Sequence, residues 1–122
     1  MGVKFYHEDG MSQARATLEA RVLLWSHVQP VVALGCPSYL VGEHPFAVLV
    51  DGAILLPGLP PGILEAPPAD VSIRPMREEC PSLDGWLLVP AASGEEVLRV
   101  LPLVRASYHL ARDAADLEND QP

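Results

Sequence analysis

Positive charge is scarce in this chain. Seven arginines and the single Lys4 stand against 16 acidic residues, for a net charge of −8 over 122 residues. The basic residues are scattered without a cluster. Contacts from Lys and Arg to phosphates supply most non-specific affinity for nucleic acid, so a nucleic-acid partner is disfavoured. A membrane surface is disfavoured on the same ground, for want of a basic amphipathic helix. Long hydrophobic runs are also missing. The apolar stretches 46–50 and 53–56 are broken by Asp51-Gly52 and Pro57, far short of the roughly 18 residues of a membrane span. The first ten residues have neither the basic nor the apolar region of a secretory signal, so a cytoplasmic location is expected. Aromatic residues are few and are not interleaved with basic ones as a single-strand-binding platform would have them, which further disfavours nucleic acid.

What is present is globular composition, 49% apolar and only 20% charged, at a length that suits one domain. A domain of this size buries about two-thirds of its unfolded surface and needs neither disulfide nor metal to fold. Residues 1–11 read as an N-terminal extension, 12–115 as a single domain and 116–122 as an acidic tail. Ser12 is a candidate N-cap, and Ala14, Leu18, Val22 and Trp25 follow at helical spacing. That helix is expected to end near Val28, ahead of Pro30. Strands are expected at 31–34, 38–41, 46–50, 53–56, 71–74 and 86–89. The segment 38–41 either continues the first strand across a bulge or stands alone, and 42–45 turns the chain. Asp51-Gly52 is a two-residue hairpin turn. Both strands beside it are apolar at almost every position, which predicts cover on both faces of at least one. Segment 57–68 holds five prolines and two glycines among its turns, a composition that argues against helix or central strand.

Ser93 and Glu96 form a capping box, and Val97, Leu101, Val104, Tyr108, Ala111 and Ala115 make one helical stripe. Pro102 predicts a kink or restart within it, and fraying is expected from Asp113. With hairpin turns and no helical crossovers, the expectation is an α+β domain: a mainly antiparallel sheet of about five strands, with an N-terminal and a C-terminal helix packed on one face.

The stretches ALGCPSYLVGEHPFAVLVDGAILL (33–56), GWLLVP (85–90) and EEVLRVLPLVRASYHLA (95–111) resemble two families of small bacterial proteins, the TfoX N-terminal domain and the YjbR-like (MmcQ/YjbR) proteins. The resemblance covers about residues 12–115. It implies a fold that is also similar to secretion chaperones, and a binding or regulatory role without catalytic residues. This chain departs from the pattern at Leu56-Pro57, where a lysine is usual, and in lacking the basic residues of a DNA-linked role.

Chemistry-bearing residues are sparse. Cys36-Pro37-Ser38 recurs as Cys80-Pro81-Ser82, but neither is a C-x-x-C, and two cytosolic thiols are expected reduced and buried. His109 and Asp113 are four apart on the last helix and His7, His27 and His44 are dispersed, short of the three or four convergent ligands of a metal site. Glu78, Glu79 and Asp84 suit a solvated loop, and Glu95-Glu96 answer the helix dipole. No nucleophile elbow, P-loop or dinucleotide fingerprint occurs, so neither an enzyme nor a cofactor is expected. The remaining candidate is a surface. Tyr39, Trp86, Pro60 and Pro61, rimmed by Arg74 and Arg77, would make an apolar patch for a protein partner or for self-association, including a homodimer. The alternative is a small-ligand binder or enzyme with a pocket between sheet and helices.

Overall fold

The computed structural model describes residues 6–68, 70–76 and 83–119. The chain is α+β, with a six-stranded sheet in the order β1-β2-β3-β4-β6-β5, every neighbouring pair antiparallel. Helix α1, Glu8–Val22, turns Met11, Ala14, Leu18 and Val22 inward. It starts at Glu8, inside the expected extension, and not after Ser12. His7 is the extended N-cap without a side-chain bond, and Glu8 and Asp9 in the first turn suit the positive end of the helix dipole. The helix stops at Val22, earlier than expected, because the chain must reverse through His27, whose φ of 64° is left-handed.

Strands β1 (Val28–Ala33) and β2 (Cys36–Val41) form a hairpin closed by Leu34-Gly35. Both turn residues are left-handed, at φ 54° and 80°, as a type I′ turn requires. Strand β3, His44–Val50, follows Gly42-Glu43, and β4, Ala53–Leu56, follows the Asp51-Gly52 turn expected from sequence. The pairing of β2 with β3 shifts between Tyr39 and Leu40, leaving Phe46 as the extra residue of a bulge.

Segment 57–68 contains a short helix, α2, Pro61–Glu65, against the expectation of none. Pro61 stands in its first turn, where a missing N–H and a fixed φ cost nothing, so the proline run starts a helix that it could not extend. Strand β5, Arg74–Pro75, pairs with β6, Leu87–Pro90.

Helix α3, Gly94–Asn119, runs 26 residues without the restart expected at Pro102 and without fraying at Asp113. Pro102 lies on the exposed side next to exposed Leu98, so the carbonyl it strips of an N–H is open to water. The capping box is present: Ser93 Oγ accepts the Glu96 N–H at 3.2 Å, and the Glu96 carboxylate accepts the Ala92 N–H at 2.8 Å.

Both long helices pack on one face of the sheet. Leu18 and Val22 of α1 and Val97 and Val104 of α3 meet Tyr39, Leu49, Ile54 and Val89 in one core. Phe46 is fully buried there, with its ring centroid 6.0 Å from Trp25 and 5.4 Å from Tyr108. Two α3 hydroxyls fix the seam: Ser107 donates to the Phe46 carbonyl at 2.8 Å and Tyr108 to the Ser26 carbonyl at 2.9 Å. Gly94 allows the start of α3 to lie against α1, since a Cβ there would fall 2.6 Å from the Thr17 hydroxyl.

Candidate functional site

Strand alternation sends every second side chain away from the helices. Tyr39, Ala47, Leu49, Ile54 and Val89 face the core. Their neighbours therefore face outward, and the register aligns them in one row across all six strands: Val31, Ser38, Val48, Leu55, Leu88 and Arg74. Leu55 is 8% exposed but stands apart from the helix-side core; Val48 and Leu88 are half-buried and Val31 is 41% exposed. Trp86 belongs to the same face, two residues before Leu88, with its carbonyl accepting the Met76 N–H at 2.8 Å. An antiparallel sheet with one wet face ordinarily alternates apolar and polar residues. This one is apolar along most of its second face, with Ser38 and Leu55 buried at its middle, Val31 and the half-buried Val48 and Leu88 more open, and Arg74 as its charge at one edge.

At the other end of the fold, a cleft of about 460 Å³ opens between the β1–β2 hairpin and the last turns of α3. Val28, Val41, Gly42 and Ala115 make its apolar side, and His27, Gln29, Arg112 and Asp116 carry its polar groups. Gly42 stands across from Ala115 and has a left-handed φ of 61°, which favours glycine there. No spacing in the sequence signals the cleft, because its polar groups come from opposite ends of the chain.

A third feature is a polar chain along α1. The Tyr6 hydroxyl donates to Glu8, Arg15 bonds Glu8 at 3.1 Å and Glu19 at 3.0 Å, and the Tyr39 hydroxyl donates to Glu19 at 2.8 Å. Burial, then the bond to Glu8, pushes Tyr6 up to about 12. Burial and Glu19 push Tyr39 up as well. The bonds from Tyr6 and Arg15 hold Glu8 below its ordinary value, and the bond from His7 does the same for Asp51. These groups bond one another and tie α1 to the sheet.

The residues singled out in the sequence separate accordingly. Tyr39 is in the core at 0% exposure, so it is no part of a surface patch: alternation puts it on the helix side, where Glu19 takes its hydroxyl. Arg74 lies opposite Leu88 and Trp86 bonds Met76, which places both on the outer face by strand alternation. Pro60 caps α2 and Pro61 begins it, half-buried and exposed respectively. Arg77, Glu78, Glu79 and Cys80 lie outside the described residues. Cys36 is buried, and burial, then the charge of Asp51, raises its pKa and keeps it a thiol. Among the described residues no three His, Cys, Asp or Glu side chains form a set able to hold a metal ion, and no helix is long and apolar enough to cross a membrane. Comparison of the chain with protein-family models, curated proteins and solved structures finds no match in any of the three.

Proposed function

We propose that the chain is a small binding or regulatory module, of the kind its likeness to the TfoX N-terminal and YjbR-like proteins implies, acting in the cytoplasm through protein–protein contact. The observation that carries this reading is the part of the outer sheet face left open, Val31, Val48, Trp86 and Leu88, apolar side chains of the type that mark interaction sites. Charge depletion there and the tryptophan among them match the composition of interface cores. The test is affinity capture from native lysate at high salt. Protein bound by the wild-type chain should be kept by Leu117→Glu, a change at an exposed α3 position, and lost by Leu88→Glu, with circular dichroism confirming the fold of each. Equal capture by Leu88→Glu would remove the outer face from consideration.

The cleft supports a second reading, a small-ligand site between sheet and helix of the volume such sites have. Its guanidinium and carboxylate, one turn apart at Arg112 and Asp116, suit a small zwitterion such as a free amino acid. Thermal melting against a panel of amino acids checks this. One that raises Tm in the wild type should have no effect on Arg112→Ala, and a panel without effect removes the reading.

A further inference from the structure

We infer that the free edge of the sheet, strand β1, pairs with the β1 strand of a second copy of this chain, antiparallel across a two-fold axis. The edge is a different surface from the outer face, so the inference goes beyond the reading above and is tested apart from it. Four observations lead there.

The first is exposure. Strand β1 has a neighbour on one side only, β2, and every residue of it after Val28 is exposed. Val32 is 66% exposed and Leu34, in the turn that follows, 90%. Among the described residues, five of the nine exposed large apolar side chains are Leu23, Leu24, Val31, Val32 and Leu34. The uncovered apolar surface of the fold is thus concentrated at this edge and in the stretch that leads into it.

The second is a contrast between the two edges. Native edges are blunted by shortness, charge or proline. Strand β5, at the opposite edge, has all three, being two residues long and made of Arg74 and Pro75. Strand β1 is six residues long, carries no charge and has only Pro30. The sheet can therefore grow from one edge, and an assembly made there closes at two copies.

The third is the backbone. In a two-residue hairpin the residues flanking the turn, here Ala33 and Cys36, are a hydrogen-bonded pair. Alternation along β1 then directs the backbone groups of Val28, Pro30 and Val32 to the open edge. Val32 offers a donor there, and Pro30 offers an acceptor without a donor. A two-fold axis at Val31 brings each Val32 N–H to the partner's Pro30 carbonyl, making two bonds from one donor and one acceptor per chain. An axis at Pro30 would instead set two donorless prolines together. The edge is complementary to its own image.

The fourth is the side chains. In that register Val32 lies opposite the partner's Pro30, Leu34 opposite the partner's Val28, and Val31 opposite the partner's Val31. Neither β1 nor β2 contains a charged residue. Two copies of net charge −8 thus meet along strands that carry none. In strand addition the main-chain bonds give affinity and the alternate side chains give specificity.

Sedimentation and light scattering of the purified full chain from about 1 to 500 µM, a span of moderate to weak affinities, test the inference. The expected mass at the upper end is twice the 13.2 kDa of the chain. Val32→Pro removes the edge donor and no bond within the sheet, since Val32 and Pro37 are a non-hydrogen-bonded pair. It should weaken the dimer at least ~10-fold, for the two main-chain bonds lost. Val32→Lys places a charge at the same exposed position and should also release the monomer. Leu88→Glu, on the outer face, should leave the dimer as it is. Amide exchange needs no substitution: the Val32 N–H should exchange more slowly as concentration rises. A monomer at every concentration overturns the inference, while protein capture by Leu88→Glu still decides the reading of the outer face. A dimer that survives both Val32 variants, or one lost in Leu88→Glu alone, uses another surface and also overturns it.

Discussion

Replacing Phe46 with alanine is expected to lower the unfolding free energy by about 3–5 kcal/mol, the range for a fully buried phenylalanine. Phe46 is the extra residue of the β3 bulge, and the bulge turns it into the core beside Ala47. It stands edge-on to Tyr108, at 74°, and tilted against Trp25. Such aromatic pairs contribute about 0.5–1.5 kcal/mol beyond the area they bury. A domain of this length has a total stability of roughly 6–18 kcal/mol, so the change removes a large share of it. Urea denaturation should show a lower midpoint with an unchanged slope. Phe46→Leu, which keeps most of the volume, should lose less than half as much. A loss below about 1 kcal/mol for alanine would mean that the aromatic cluster does not hold α3 on the sheet.

The second large effect is alkaline. Tyr39 is fully buried and donates its hydroxyl to Glu19. Burial and that carboxylate raise its pKa above the ordinary 10.0. In the unfolded chain it ionises near 10.0, while in the folded chain it stays neutral. Stability is therefore complete below pH 10 and falls as pH rises beyond it, by about 1.4 kcal/mol per pH unit for this group until the folded form ionises too. Tyr6, raised to about 12, acts in the same direction between pH 10 and 12. Urea midpoints at pH 8 and pH 11 should differ accordingly, and Tyr39→Phe should flatten much of the difference. That variant should lose only about 1 kcal/mol at pH 8, because Glu19 keeps its bond to Arg15. A parallel decline in Tyr39→Phe and wild type would assign the effect elsewhere.

The turns show which parts of the fold were legible in sequence. Asp51-Gly52 declares its hairpin because both residues tolerate positive φ. Leu34-Gly35 builds a two-residue turn with both residues at positive φ, yet leucine in that region carries a steric penalty and gives no signal. The prolines around α2 hid a helix because composition cannot distinguish a proline that interrupts a helix from one in its first turn. The α3 cap and stripe were plain, since both lie within one local segment. For the candidate site, the double-sided apolar pattern of β3 and β4 predicted cover on both faces of at least one strand, and β4 is buried at all four of its residues. Strand alternation would have separated Tyr39 from Trp86, but only once the bulge and register were known. The cleft was invisible because His27 and Arg112 meet only through the packing of the hairpin against α3.

The length of α3 has a mechanical consequence. Its 26 residues extend about 39 Å, more than either dimension of the sheet beneath it, so the helix overhangs whichever way it lies. Leu117, near its end, is 67% exposed. Arg112 and Asp116 thus sit beyond the Phe46 seam, near the end of α3, where Ala111 and Ala115 are its last contacts with the core. Unwinding its last turns opens the wall of the cleft while the core stays packed, so that wall answers to the cost of local fraying, far below that of global unfolding.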